Sequence, residues 1–227
     1  MDEVRQMLDR IKKHITKAIV ASVISFGSGA YAGEGWFATK AAYDPNEEKS
    51  IITVEGKQNI TDHISLYGFL DTLSQQKKPL EFEEYYGEAR ANYTLGQICE
   101  MLDHAGAAAE LNTGNEITDT IRLGVTYNPK LWNGSFVFLK AFPYETSEEK
   151  GPQLSAYVSQ DFNAGFPATA SLLVDYNVEP RTTYVEGTLE VEIMKHIRLF
   201  AQGRVFSKLR EIDEADVEPY IGVKFDF

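Results

Sequence analysis

From Val217 to the C terminus, apolar and polar positions alternate without a break. Val217, Pro219, Ile221, Val223, Phe225 and Phe227 fall on one face, and Glu218, Tyr220, Gly222, Lys224 and Asp226 on the other. Period-two alternation marks a strand with one apolar and one wet face. The same pattern recurs upstream in segments of about ten residues, bounded by Gly, Pro, Asn, Asp and Lys. In 183–193, Val185, Gly187, Leu189, Val191 and Ile193 alternate with Tyr184, Glu186, Thr188, Glu190 and Glu192. In 197–207, Ile197, Leu199, Ala201 and Val205 oppose Arg198, Phe200, Gln202, Arg204 and Phe206. Segments 153–162, 167–177 and 117–127 read the same way.

Further candidates at 36–43, 49–55, 63–71, 82–93, 105–112 and 136–142 bring the expected count to about twelve strands, with ten as the alternative. Residues 97–104 read as a short helix or loop. Charged connections are expected at 44–49, 74–78, 145–151 and 209–216. A terminal strand with an apolar face and an unpaired edge invites aggregation, and pairing it with the first strand removes that edge. The fold predicted is therefore all-β: an antiparallel up-and-down transmembrane β-barrel. Periodicity alone fits a soluble sandwich equally well, because both put one face in an apolar phase and one in water. For 136–142 the register is open, so Phe136, Phe138 and Phe142 face either lumen or lipid.

The N-terminal stretch separates these alternatives. Lys12, Lys13 and Lys17 precede an apolar run at 18–26, and small residues then lead to Ala30-Tyr31-Ala32. A basic region, an apolar region and an A-x-A-like site make a secretory signal peptide over 1–32, with the barrel over 33–227. Translation starting at Met7 would give the same leader. The apolar run falls well short of the roughly 20 residues that a spanning helix needs. The net charge of −12 becomes more negative once this basic leader is removed. Such acidity repels nucleic-acid backbones, so no nucleic-acid partner is expected. The single cysteine, Cys99, makes no intramolecular disulfide. No Cys/His spacing suggests a metal, and no cofactor is expected.

In a membrane barrel the wet face of each strand lines the lumen. This places Tyr67, Phe69 and Asp71 on one strand and Glu84, Tyr86, Glu88 and Arg90 on the next. Arg122, Lys140, Tyr157, Asp175, Tyr184, Glu186, Arg198, Phe200 and Arg204 follow around the wall. Facing acidic and basic rows pair their charges and set a field across a pore. Aromatic faces between hydrogen-bonding groups suit stacking on a nucleobase. The same side chains could equally fill a small barrel and plug it. Tyr85, Tyr93, Tyr127, Phe162, Tyr176, Phe225 and Phe227 lie on apolar faces, where interfacial aromatic girdles are expected.

Two resemblances sharpen these expectations. Tyr220, Gly222, Phe225 and the terminal Phe227 resemble the C-terminal assembly signal of Gram-negative outer-membrane barrels. The partners implied are the barrel-assembly machinery and outer-membrane lipid. Residues 51–72, with Leu66-Tyr67-Gly68 and Asp71, resemble the early hairpin of the nucleoside-specific channel-forming (Tsx-like) family. Gly87-Glu88-Ala89-Arg90 and Leu123-Gly124-Val125 are similar to later strands of that family. The resemblance implies a monomeric twelve-stranded barrel in the cell outer membrane, passing nucleosides or other small polar solutes down their gradient. The alternatives are a plugged structural or adhesive barrel, or an outer-membrane lipid hydrolase. The hydrolase would use His63 with Ser65 and Asp161, or His196 as base, but no nucleophile motif surrounds them.

Overall fold

All twelve expected strands form, and they close on themselves. The computed structural model describes residues 35–75, 78–98, 102–115, 119–129, 131–146, 151–179, 181–208 and 216–227. The expected leader and Cys99 lie outside these. The strands are β1 (Gly35–Asp44), β2 (Lys49–Asn59), β3 (Ile64–Gln75), β4 (Lys78–Thr94), β5 (Ala105–Gly114) and β6 (Thr120–Tyr127). They continue with β7 (Ser135–Glu145), β8 (Gln153–Asn163), β9 (Pro167–Asn177), β10 (Thr182–Met194), β11 (Ile197–Lys208) and β12 (Asp216–Asp226). Each strand pairs antiparallel with its sequence neighbours, and β1 pairs with β12 to close the barrel. The ten-strand alternative is thereby excluded, because 36–43, 49–55 and 105–112 are all in the wall. Residues 95–97 make a single 3-10 turn in the β4–β5 connection. Among the described residues no helix is long and apolar enough to cross a membrane.

Register fixes the two faces. Lys40 lies opposite Thr53, Thr53 opposite Asp71, and Asp71 opposite Tyr86, so these side chains share the inner face. Ile52, Leu123, Val125, Leu139, Leu154, Leu172, Leu189, Leu199 and Ile221 stand on the outer face and are solvent-accessible. The buried set is mostly polar: Glu55, Asp71, Glu110, Asn112, Arg122, Lys140, Gln153, Glu190 and Gln202. This is a soluble protein turned inside out, as a barrel wall against lipid requires. Complete closure also pairs the strand backbones without an edge, the condition for a sheet in hydrocarbon.

One irregularity changes which residues face inward. Leu123 pairs with Tyr144 but Val125 pairs with Ala141, so β7 carries one extra residue near Pro143. Proline inside a sheet is found at such bulges, because it cannot donate to the ladder. Before the bulge Phe136, Phe138, Lys140 and Phe142 face the lumen, which settles their register. Beyond it the parity flips, and Glu145 reaches Arg122 inside the barrel. Gly124 leaves room for the kink: a Cβ there would lie 2.1 Å from the Ala141 carbonyl oxygen.

At the seam, the Phe227 amide donates to the Phe37 carbonyl at 2.8 Å. The two rings meet at 5.8 Å on the outer face. Removing Phe227 deletes one backbone bond and one ring pair, together worth about 1–2 kcal/mol. We expect folding into vesicles to slow more than the finished barrel is destabilised, because β1 and β12 are the strand pair furthest apart in the chain and their closure carries the largest loop-entropy cost. Folding kinetics unchanged from the full chain would refute this.

Candidate lumen site

The inner face carries three linked sets of charges. The first lies on β4 to β7 and centres on Glu110, whose side chain is 0% exposed. Arg122 Nη1 reaches Glu110 Oε1 at 3.1 Å, and Lys140 Nζ reaches Oε2 at 3.0 Å. Asn112 donates to the same carboxylate at 3.1 Å, and Tyr86 donates to Asn112 at 2.6 Å. Arg122 continues to Glu145 at 3.0 Å. Arg90 stands 3.5 Å from Glu88 and 3.7 Å from Glu110.

The second set joins β1, β2, β10, β11 and β12. Glu55 takes Lys40 at 3.1 Å and Lys224 at 3.6 Å. Glu190 takes Lys224 at 3.2 Å and Arg198 at 3.3 Å, and Arg198 reaches Asp226 at 3.0 Å. The third set crosses the lumen. Arg204 on β11 pairs with Glu186 at 3.1 Å and reaches Asp71 on β3 at 3.5 Å. Thr53 donates to Asp71 at 2.5 Å. Arg204 also lies over the Tyr220 ring at 5.1 Å, and the Tyr184 hydroxyl bonds Glu186. Three strands separate β3 from β11 along the wall. The Asp71–Arg204 contact is therefore a chord of the barrel.

Aromatic side chains line the half nearer the chain termini. Trp36, Tyr67, Phe69 and Tyr86 form a continuous ladder with centroid spacings of 6.3, 6.2 and 5.6 Å. Phe136 stacks on Phe138 at 6.3 Å and meets Tyr157 at 6.0 Å. Arg90 spans the gap between the two groups. Its guanidinium carbon sits 4.9 Å from the Tyr67 centroid and 4.8 Å from that of Phe138. Its Nε is buried without a hydrogen-bond partner. Arg90 is thus held mainly by two ring faces and two loose ion pairs, a weaker restraint than the hydrogen bonds around Glu110.

Tyr67, Phe69, Asp71, Glu88, Arg90, Arg122, Tyr157, Tyr184, Glu186, Arg198 and Arg204 all stand on the inner face. They fall into different sets. Arg90 and Arg122 share the Glu110 set, Asp71 and Glu186 share Arg204, and Arg198 belongs to the second set at the terminal mouth. Tyr220 and Gly222 also face inward, whereas Phe225 and Phe227 face out at the seam. Glu110, Glu55, Lys40, Glu190 and Glu145 complete the networks and were not singled out by sequence. The Ala-rich β5 hides Glu110, although Gly106, Ala108, Glu110 and Asn112 do alternate with Ala107, Ala109 and Leu111. The bulge at Pro143 hides Glu145.

The residues considered for hydrolysis are not brought together. His63 lies in the bend before β3, where its backbone nitrogen bonds Thr61. Ser65 faces Asn59 and Asn92, and Asp161 accepts from Thr169 on the far wall. His196 sits in the β10–β11 turn at φ 68°. Beside it a cavity of about 430 Å³ opens at the terminal mouth, lined by Trp36, Glu192, Arg198, Lys224 and Asp226 among others.

No protein-family model and no curated protein sequence matches the chain. Solved structures do. A KdgM porin in complex with disordered oligogalacturonate superposes with TM-score 0.55 at 11% identity, covering 85% of this chain and 99% of that one. The NanC porin gives 0.56 at 9% identity, covering 83% of this chain and 98% of its own. Outer membrane phospholipase A from Escherichia coli gives 0.52 at 13% identity, over 86% of this chain and 98% of that one. At these identities the likeness establishes a shared fold alone, and two porins and a phospholipase have that fold in common.

Proposed function

We propose that the chain is a narrow outer-membrane channel through which small polar solutes, nucleosides among them, diffuse passively. The observation that carries the reading is the inverted polarity of a closed wall. An apolar exterior surrounds a lumen of charged and aromatic side chains, the arrangement of a pore rather than of a packed core. The porin neighbours support a channel in a Gram-negative outer membrane, reached through the leader at 1–32 and the assembly machinery. Closure without a free edge supports a monomer. The ladder of Trp36, Tyr67, Phe69 and Tyr86 offers stacking surface to a base, and the flanking carboxylates offer acceptors to ribose hydroxyls. The oligogalacturonate of the KdgM complex is an acidic polymer. On this inner face Glu55, Asp71, Glu88, Glu110, Asp175, Glu186 and Glu190 are matched in number by Lys40, Arg90, Arg122, Lys140, Arg198, Arg204 and Lys224, so the lumen offers such a polymer no excess of positive charge.

The chord between Asp71 and Arg204 favours a second reading, a barrel plugged by its own side chains. Single-channel recording of the refolded mature chain in a planar bilayer separates the two. A channel gives small steps that nucleosides block; a correctly folded but silent barrel is plugged. In a conducting barrel, Arg90→Ala should enlarge the step, because it removes the side chain that spans the two aromatic groups. Tyr67→Ala should weaken nucleoside block by about tenfold or more, since base stacking is worth ~1–3 kcal/mol. Steps and block that neither substitution alters would take both residues out of the solute path.

A further inference from the structure

The two rims of the barrel differ in a way that the lumen does not explain. The connections on the side of the chain termini carry large exposed hydrophobic residues one after another. Ile60 stands between β2 and β3, and Ile98 and Leu102 between β4 and β5. Leu131 and Trp132 stand between β6 and β7, and Phe166 between β8 and β9. Met194 closes β10, and Phe227 closes the chain. Exposure reaches 71% at Ile98, 59% at Trp132 and 73% at Phe227. Turns in water ordinarily carry polar residues, and a ring of apolar tips is a standing liability there.

The opposite rim is different. Its described connections hold Pro45, Asn46, Glu47 and Glu48, then Asn115 and Asp119, then Thr146, Gly151 and Pro152, then Val178, Glu179 and Arg181. Val178 is the one large exposed hydrophobic residue among these. The asymmetry therefore lies in the described connections rather than in the strand ends, where Tyr144 and Val217 at this rim match Met194 and Phe227 at the other. It is also continuous with the outer wall, because Tyr127, Leu139, Phe162, Ile193 and Phe225 carry the apolar surface up to the terminal rim.

We propose that the terminal rim is itself immersed in the lipid interface on that side, with Ile98, Leu131, Trp132 and Phe166 seated beside the carbonyl ends of the acyl chains. The acidic rim stands in water. The inference rests on the membrane reading above and extends it: the turns, and not only the strand faces, anchor the barrel in depth. Trp132 is suited to this zone, since its ring is apolar and its indole N–H bonds the Gln160 side chain. A helix or strand passing through the bilayer is positioned by such interfacial anchors. Here they are spread around the rim, so they oppose tilt as well as vertical displacement.

The chain contains two tryptophans, Trp36 and Trp132, which makes the test direct. Trp36→Phe leaves Trp132 as the sole reporter in barrels refolded into phosphatidylcholine vesicles. Immersion predicts blue-shifted emission, strong quenching by lipids brominated near the carbonyl end of the chain, and little quenching by aqueous iodide. Leu123→Trp, made with both native tryptophans replaced by Phe, reports the mid-wall and should be quenched by bromines deep in the bilayer. Iodide quenching of Trp132 with lipid quenching of the Leu123→Trp reporter would place the rim in water and overturn the proposal alone. Shielding of Trp132 from both quenchers would mean a protein contact, such as a second copy, and would overturn it too. Absence of lipid quenching at both positions would overturn the membrane reading itself.

Discussion

Glu110→Ala is expected to lower the unfolding free energy of the barrel in lipid by about 3–5 kcal/mol, the usual cost of removing one partner from a buried ionic network. The carboxylate is fully enclosed and receives Arg122, Lys140 and Asn112 at 3.0 to 3.1 Å. Deleting it leaves two buried cations crowded together, with Arg90 close by, and only Glu88 and Glu145 to share. The local charge turns positive, so if the barrel conducts as proposed, its current should also shift toward anions, read as a displaced reversal potential in a salt gradient. Glu110→Gln separates the two effects: it keeps the volume and one acceptor but not the charge, so selectivity should shift while stability recovers in part. Lys49→Ala is the contrast. Lys49 pairs with Glu47 at 2.5 Å, yet both side chains are a quarter or more exposed, and such pairs contribute little. Equal unfolding of Glu110→Ala and wild type would show that the three cations do not depend on this carboxylate.

The different costs of these two pairs reflect where the charge sits, and that depends on the closed wall. Alternation made the wall legible from the sequence. Because side-chain direction repeats every two residues, β8 to β12 show which positions face in, and an apolar outer face keeps the register from slipping. The strands around 36, 49 and 105 were hardest to read, because small residues such as Ala41, Ala42 and Ala107 to Ala109 blur the contrast between faces. Partnership was less legible than facing. Tyr67, Asp71, Arg90 and Arg204 could each be placed inside, but the chord from Arg204 to Asp71 depends on barrel diameter and strand tilt, which pattern does not encode. Glu145 marks the other limit. One extra residue at Pro143 reverses parity for the rest of β7, so counting by twos from Lys140 puts that carboxylate in lipid, whereas it lies against Arg122. A proline within an alternating run was the available hint.

Closure itself gives the second large effect. Gly222→Ala should sharply reduce the yield of closed barrel, while Gly203→Ala, one strand away, should be close to neutral. Gly222 faces Ala42 across the β1–β12 seam and Phe200 on β11. A Cβ at 222 would lie 2.2 Å from the Ala41 carbonyl oxygen and 2.7 Å from the Phe200 ring. Neither distance is tolerable, and Phe200, only 5% exposed, has little space into which to withdraw. Overpacking in well-filled sites costs about 1–3 kcal/mol. Here it falls on the one strand pair whose formation turns a sheet into a barrel, so assembly should fail before stability can be measured. At Gly203 nothing lies within 4 Å of the added carbon. The double variant Gly222→Ala with Phe200→Ala identifies the cause. Full recovery of heat-modifiable folded protein would assign the effect to the ring, whereas the 2.2 Å approach to backbone predicts only partial recovery. Normal closure of Gly222→Ala would mean that the seam shifts by more than an ångström at no cost. In that case Gly222 would owe its place in the C-terminal motif to recognition during assembly rather than to packing.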